Sequence, residues 1–456
     1  MKLEKIATVL RDAHRNGAPF NVKMRIQKLA HLKKVIVRSE PEIVQALKKD
    51  LGKSEFETYA TEIGFILEEI NYMIKNIESW AKVKKVKTPI TLFPGKSFIH
   101  SEAYGVVLII SPWNYPFQLC LSPFIGAIAA GNKVVLKPSE FAAETSSIIK
   151  KIVSEVFTEN EVSVIEGGLE ETQALLTQKF DYIFFTGSTG VGKIIMKAAS
   201  EHLTPVTLEL GGKSPCLIEE SANIDIAAKR VAWGKFLNAG QTCVAPDYVL
   251  IPIGMQDVFV QRLKFHITTF YGLNVKTSHD YPRIVNNRHF DRLNDLLIKD
   301  KIAVGGELNR EENFIGPTVM KNVELSDKVM LDEIFGPILP IIPYDHLEDA
   351  IKIIMNFPKP LAFYLFSEKS EKKDYIISKV PFGGGCINDT VIHLANPNLP
   401  FGGVGTSGIG SYHGQKSFET FTNYKSVYKQ GTLVDIPLRY PPYNEQKLSW
   451  IKFFLR

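Results

Sequence analysis

The period of apolar and polar residues changes near residue 105. Before that point Ile26, Leu29, Leu32 and Ile36 recur at helical spacing with lysines between them, and a second such stretch runs from Glu57 to Trp80. Residues 1 to about 82 are therefore expected to be helical. Lys82-Val83-Lys84-Lys85-Val86-Lys87-Thr88-Pro89 is rich in lysine and β-branched residues. It predicts an exposed strand or hairpin whose lysines blunt a free edge. After Gly105 come short, continuous apolar runs: Val106–Ile110, Lys133–Lys137 and residues 181–185. Such runs mark strands buried on both faces. Helical stretches are expected at 119–130, 141–156 and 190–201, between or after these strands. Alternating strands and helices imply a parallel sheet with right-handed crossovers, and the same style resumes from Thr207 to about residue 366. The fold class is α/β, with two α/β domains.

Composition narrows the function classes. The 456 residues are 45% hydrophobic and 23% charged, a soluble globular balance, with a formal net charge of +5. Without a basic block or an aromatic-interleaved basic stripe, nucleic acid is not an expected partner. The four cysteines, Cys120, Cys216, Cys243 and Cys386, form no CxxC pair, and the ten histidines have no metal-ligand spacing. No metal site is expected. The segment from Met1 to Lys5 shows no secretory leader, and no apolar run approaches the roughly 20 residues of a membrane-spanning helix. The expected setting is a reducing cytoplasm.

Three segments carry candidate chemistry. The strand ending at Phe185 runs into Gly187-Ser188-Thr189-Gly190-Val191-Gly192, where a helix is expected to start. N–H groups at a helix start favour phosphate, although a plain glycine-rich turn fits this segment equally well. Cys243 follows Asn238-Ala239-Gly240-Gln241-Thr242, small and polar neighbours that suit an open loop and an accessible nucleophile. A lone cysteine is otherwise a small buried hydrophobe, the reading kept for Cys120, Cys216 and Cys386. Glu209 lies between two leucines ahead of Gly211-Gly212. Apolar surroundings raise a carboxyl pKa towards that of a general base, while a salt-bridged glutamate on an edge strand is the alternative.

Together these segments resemble the aldehyde dehydrogenase superfamily. The resemblance rests on Ser111-Pro112-Trp113-Asn114-Tyr115-Pro116, Lys137-Pro138-Ser139-Glu140, the 187–192 loop, Glu209-Leu210-Gly211-Gly212-Lys213, Gly240-Gln241-Thr242-Cys243, Glu333-Ile334-Phe335-Gly336-Pro337 and Pro400-Phe401-Gly402-Gly403, in the family's order. Length and the short N-terminal segment are most similar to the class 3 branch, which handles lipophilic and aromatic aldehydes and is usually dimeric.

The resemblance implies an NAD(P)-dependent oxidation of an aldehyde to its acid. In it, Cys243 is the nucleophile, Asn114 and the Cys243 N–H hold the oxyanion, and Glu209 activates water. It further implies that Lys137 and Glu140 hold the adenosine ribose and that Gly187, Ser188, Thr189, Gly190, Val191 and Gly192 face the pyrophosphate. Glu333 then holds the nicotinamide ribose, with Phe335 beside it and Trp113 lining the cleft. For both aromatics a core-packing role is the alternative. NAD is the expected preferred cofactor, with NADP also accepted. Relatives that pass the thioester to coenzyme A generally lack the glutamate that Glu209 supplies here, so hydrolysis is expected.

The implied architecture is two doubly wound α/β domains plus a small bridging region. Residues 1–82 and 101–206 form the cofactor domain, 207–415 the catalytic domain, and 83–100 with 416–432 an oligomerisation hairpin region. Residues 433–456 form a tail. In it Leu448, Ile451 and Leu455 fall at helical spacing, with Lys447, Lys452 and Arg456 supplying positive charge. Such a helix fits peripheral contact with anionic lipid, or a lid folded back near the substrate entrance. A homodimer and a small-molecule aldehyde are the expected partners. The rival readings are a cysteine esterase or acyltransferase without redox turnover, and a catalytically silent binding protein.

Overall fold

A computed structural model describes residues 3–16 and 20–455. Met1, Lys2 and the charge of Arg456 lie outside them. The helices Val22–Arg38, Glu40–Leu51 and Gly64–Trp80 occupy the N-terminal region and bury the apolar stripe of Leu29, Leu32 and Ile36 that the spacing predicts.

The first large sheet has six strands in the order Gly408–Ile409, Val206–Glu209, Tyr182–Thr186, Val106–Ile110, Lys133–Lys137 and Val162–Val164. All pairs are parallel except the one made by Gly408–Ile409. The middle strands are continuous apolar runs because helices cover both faces. The chain builds outward from Val106–Ile110 in one direction and then, from Tyr182–Thr186, in the other. In a doubly wound sheet, ligands bind outside the carboxyl ends of the strands at such a reversal. Here the residues just beyond those ends are Trp113 and Asn114 on one side and Gly187 to Gly190 on the other.

The second sheet has seven strands, in the order Ile302–Val304, Thr318–Met320, Ile338–Tyr344, Tyr248–Pro252, Pro215–Ile218, Ala362–Phe366 and Gly384–Ile387. All but the first pair are parallel. The boundary expected at 207 needs correction. Val206–Glu209 pairs with Tyr182–Thr186, so the chain leaves the first sheet only after Glu209, and Gly408–Ile409 returns to it. The apolar run Val206-Thr207-Leu208 is a single strand, and the glycine pair Gly211-Gly212 makes the crossing.

A third, antiparallel sheet joins the neighbouring strands Lys84–Val86 and Lys96–Ala103 to Thr422–Lys429, a segment far away in sequence. The tail forms the helix Glu445–Phe454, capped by Asn444, whose side chain accepts from the Lys447 N–H at 2.8 Å. Ile451, Phe454 and Leu455 face Ile90, Leu92, Phe93 and Tyr428 beside this small sheet. The tail helix thus shares an open groove with Ile90, Leu92 and Phe93 and lines no part of the catalytic cleft, as a lid would. Among the described residues no helix is long and apolar enough to cross a membrane, and no cluster of side chains could hold a metal ion.

Candidate active site

A cleft of about 330 Å³ lies between the carboxyl ends of the first sheet and the amino ends of the second. It brings together Trp113, Asn114, Glu209, Cys243, Glu333 and Phe335, with Gly187, Ser188, Thr189 and Gly190 along one wall. Lys137, Glu140, Val191 and Gly192 do not line it. Lys137 and Glu140 lie one strand further along the same sheet edge, where the Lys137 amine donates to the Gly167 and Pro138 carbonyls at 2.6 and 2.9 Å.

Cys243 is presented by a tight left-handed turn. Asn238, Ala239 and Gly240 all have positive φ, near +52°, +51° and +72°. A Cβ on Gly240 would come within 2.3 Å of the Gly336 carbonyl oxygen, so only glycine fits. The open loop expected from the polar residues at 238–242 is not what forms. Asn238, Gln241 and Thr242 are buried. Their polarity is consumed internally: Gln241 donates to the Asn238 and Arg283 carbonyls and accepts from the Val285 N–H, and Thr242 meets the Tyr115 hydroxyl at 2.7 Å. Cys243 itself is half-buried at the floor of the cleft. Burial, with Glu333 and Glu209 nearby, pushes its thiol up to about 12. Cys120 and Cys216 are fully buried, as expected, whereas Cys386 is half-buried with its sulfur 3.5 Å from His393 Nδ1.

Asn114 is held on both sides. Its side-chain amide donates to the Gln241 carbonyl at 3.0 Å, and its own carbonyl accepts from Asn238 Nδ2 at 2.7 Å. One of its two amide N–H bonds is thereby anchored beside the cysteine loop, and the residue lines the cleft.

Glu209 ends an internal strand, paired with Thr186 on one side and Gly408 on the other, so the edge-strand salt bridge does not form. The residue is 2% exposed, and neither carboxylate oxygen has a hydrogen-bond partner among the described residues. Burial alone raises its pKa well above the ordinary carboxyl value. Glu333 is pushed up to about 8 by burial and by the charge of Asp247. Its carboxylate sits against Gly211, where a Cβ would approach Oε2 to 1.9 Å, so the glycine pair makes room for it.

Trp113 stands 5.1 Å from the His289 ring and 5.4 Å from Phe335, edge to face. Phe335 has φ near +49°, rare for a bulky residue, and Arg292 pins the turn by donating to the Ile334 carbonyl at 2.8 Å. Both aromatics are half-buried walls of the cleft. The motifs did not point to Asn238, His289 or Arg292, and Gln241 was quoted in one without a role. The polar pair Asn238 and Gln241 around Gly240 was the one readable signal.

The cleft also has a wall suited to a phosphate. The helix Thr189–Ser200 starts at its wall, capped by Ser188, and the first N–H groups of a helix lack intrahelical partners.

A family model described as "Aldehyde dehydrogenase family" matches residues 2–427. The 4,4'-diaponeurosporen-aldehyde dehydrogenase of Staphylococcus aureus is 50% identical over 438 residues, covering 96% of this chain and 95% of the relative. A dimeric NADP-preferring aldehyde dehydrogenase of Canis lupus familiaris is 45% identical, covering 97% of this chain and 98% of its own. A solved structure, the substrate-bound state of Staphylococcus aureus AldH, superposes with a TM-score of 0.98 at 47% identity over 100% of both chains.

Proposed function

The chain belongs to the aldehyde dehydrogenase family, and from that membership we propose that it oxidises a lipophilic aldehyde (medium- or long-chain, aromatic or polyene) to the carboxylic acid with NAD(P). The observation that carries this reading is the meeting in one cleft of Cys243, the anchored amide of Asn114 and the unpartnered carboxyl of Glu209.

Cys243 loses its thiol proton to solvent, and the resulting thiolate bonds to the aldehyde carbon. The second Asn114 N–H and the Cys243 backbone N–H receive the oxyanion that forms; removing one such donor elsewhere costs about 2.7–4 kcal/mol of barrier stabilisation. Bound NAD(P) would supply the acceptor for the hydride that leaves the adduct carbon, and the acyl group stays on Cys243 as a thioester. Glu209 then takes a proton from water as its oxygen attacks the acyl carbon, and the cysteine leaves as thiolate. The 187–192 loop and its helix start would hold the pyrophosphate, Lys137 and Glu140 beyond the cleft the adenosine ribose, and Glu333 the nicotinamide ribose. Leu119, Leu361, Phe401 and Tyr412 give the cleft the apolar wall a lipophilic substrate requires. The relatives are named as dehydrogenases, and a non-redox cysteine esterase or a silent binding protein has no support among them.

The test is growth of the reduced-nicotinamide absorbance band with a panel of short, aromatic, long-chain and polyene aldehydes and both cofactors. Long and polyene aldehydes give the highest kcat/KM, and NAD exceeds NADP. Glu140→Gln raises the NADP/NAD ratio of efficiencies, because its charge opposes a 2′-phosphate. An unchanged ratio removes Glu140 from that role; no band with any aldehyde ends the dehydrogenase reading.

The protein works as a homodimer, as the relative named dimeric does, with the three-stranded sheet as the bridging element. Its setting is the cytoplasm, at a membrane periphery. Trp450 and Phe453 on the tail helix are 50% and 73% exposed beside Lys452, a pairing suited to anionic headgroups. Deleting residues 446 to 456 abolishes co-sedimentation with anionic vesicles at low salt and leaves turnover of short soluble aldehydes unchanged. A full-length protein that stays in the supernatant ends the membrane reading.

A further inference from the structure

The peptide that carries Asn114 is gripped by buried charges outside the reaction. Lys53 and Glu62 have side chains 0% exposed and form a direct ion pair, Nζ to Oε1. Glu62 Oε2 accepts from the N–H groups of Phe117 and Gln118 at 2.9 and 3.2 Å, the first turn of the helix Pro116–Ala130. Lys53 donates to the Asn114 carbonyl at 3.2 Å and stands 4.0 Å from the centre of the Tyr115 ring. The anion thus sits on a helix N-terminus, where backbone donors favour it, and the cation on the carbonyl and aromatic face just before it. Residues 114 to 118 are held from both poles.

A second arm reaches the same peptide from the cysteine loop. Glu57 Oε1 accepts from the Asn238 N–H at 3.0 Å, and Asn238 Nδ2 donates to the carbonyls of Asn114 and Gln241. Glu57 and Glu62 are five residues apart. Glu62 lies in the π-helical turn Tyr59–Ile63 and Glu57 just before it, and both side chains are buried.

A buried ion pair is a weak device for stability alone, since well-packed apolar residues of similar volume often serve as well or better. These contacts converge on the peptide of one cleft residue. We propose that Lys53 and Glu62 are positioning residues for aldehyde oxidation, which fix the Asn114 peptide so that its free amide N–H stays aimed at the space over Cys243. The inference rests on the reading of Asn114 as the oxyanion donor.

The test compares Lys53→Met with the double variant Lys53→Met/Glu62→Gln, each in the wild-type and Asn114→Ala backgrounds. Lys53→Met leaves a lone buried carboxylate and can fail to fold; the double variant removes both charges and keeps the volume. The readouts are the single-turnover rate of cofactor reduction, KM for the aldehyde and the dissociation constant of NAD. In the double variant the single-turnover rate falls about 10- to 100-fold, as expected for a misplaced catalytic group, while NAD affinity is retained. In the Asn114→Ala background the same change costs little more, because the group being positioned is already gone. An undiminished loss in that background overturns the proposal, as does a wild-type rate in the double variant. Asn114→Ala with a wild-type rate is a separate outcome: it removes the oxyanion assignment and this proposal with it.

Discussion

Replacing Cys243 with alanine abolishes aldehyde oxidation and ester hydrolysis together. In the proposed mechanism both reactions pass through an acyl group on the same sulfur, so neither has a bypass once it is gone. Loss of a hydrolytic nucleophile elsewhere costs on the order of 10⁶-fold in kcat, and a similar collapse is expected here. Three other cysteines provide the control. Cys120 and Cys216 are sealed in the core, and Cys386 is half-buried beside His393, outside the cleft. Cys386→Ala therefore keeps wild-type turnover. The thiol chemistry adds an independent check. Burial holds the Cys243 thiol near 12, so its neutral form dominates in the cofactor-free protein at neutral pH. Alkylation by iodoacetamide then climbs with pH through the whole neutral-to-alkaline range, with the modified peptide containing Cys243. Residual oxidation in Cys243→Ala that Cys386→Ala removes would transfer the nucleophile to the other residue.

The fold is legible in the sequence where a strand is buried on both faces. Val106–Ile110 and Lys133–Lys137 need nothing but a continuous apolar run, and both lie where the pattern puts them. Gly384–Ile387 escapes because the glycines at 383–385 supply no β-branched signal, although Phe363 packs its backbone so closely that a Cβ on Gly385 would come within 2.0 Å of the Phe363 carbonyl. The helix expected from 119 begins at Pro116, since proline in the first turn gives up an N–H that has no intrahelical partner there.

The site divides similarly. Cys243 and Glu209 are ambiguous alone and acquire roles only through the joint resemblance. The network behind Asn114 closes in space between residues 53, 62, 114 and 238, and no local pattern contains it. One trace of it is in the sequence. Glu62 precedes Ile66, Ile70, Met73 and Ile77 on the apolar stripe of its helix, a core position where a carboxylate requires a partner.

Glu209→Gln separates the two halves of the reaction. In the proposed mechanism acylation needs Cys243 and the oxyanion donors, which the substitution leaves in place, whereas thioester hydrolysis loses its base. A burst of one reduced cofactor per enzyme is therefore expected, followed by a steady state about 10²- to 10⁴-fold slower, the usual contribution of a positioned base. The pH dependence has a defined sign. Because burial raises the Glu209 pKa, its basic form gains population as pH rises, and wild-type turnover limited by hydrolysis increases through the alkaline range. That limb disappears in the glutamine variant. Stability runs the opposite way. A carboxyl with a folded-state pKa above its unfolded value of about 4.5 binds protons preferentially in the native state, so its contribution is complete below that value and is lost as pH rises through the raised one. Glutamine does not titrate. Glu209→Gln should consequently melt above the wild type at alkaline pH, with the gap closing on acidification. Both signs follow from one cause, a buried carboxyl whose oxygens have no hydrogen-bond partner among the described residues. A glutamine variant that turns over at the wild-type rate, or that keeps the alkaline limb, would assign the base elsewhere.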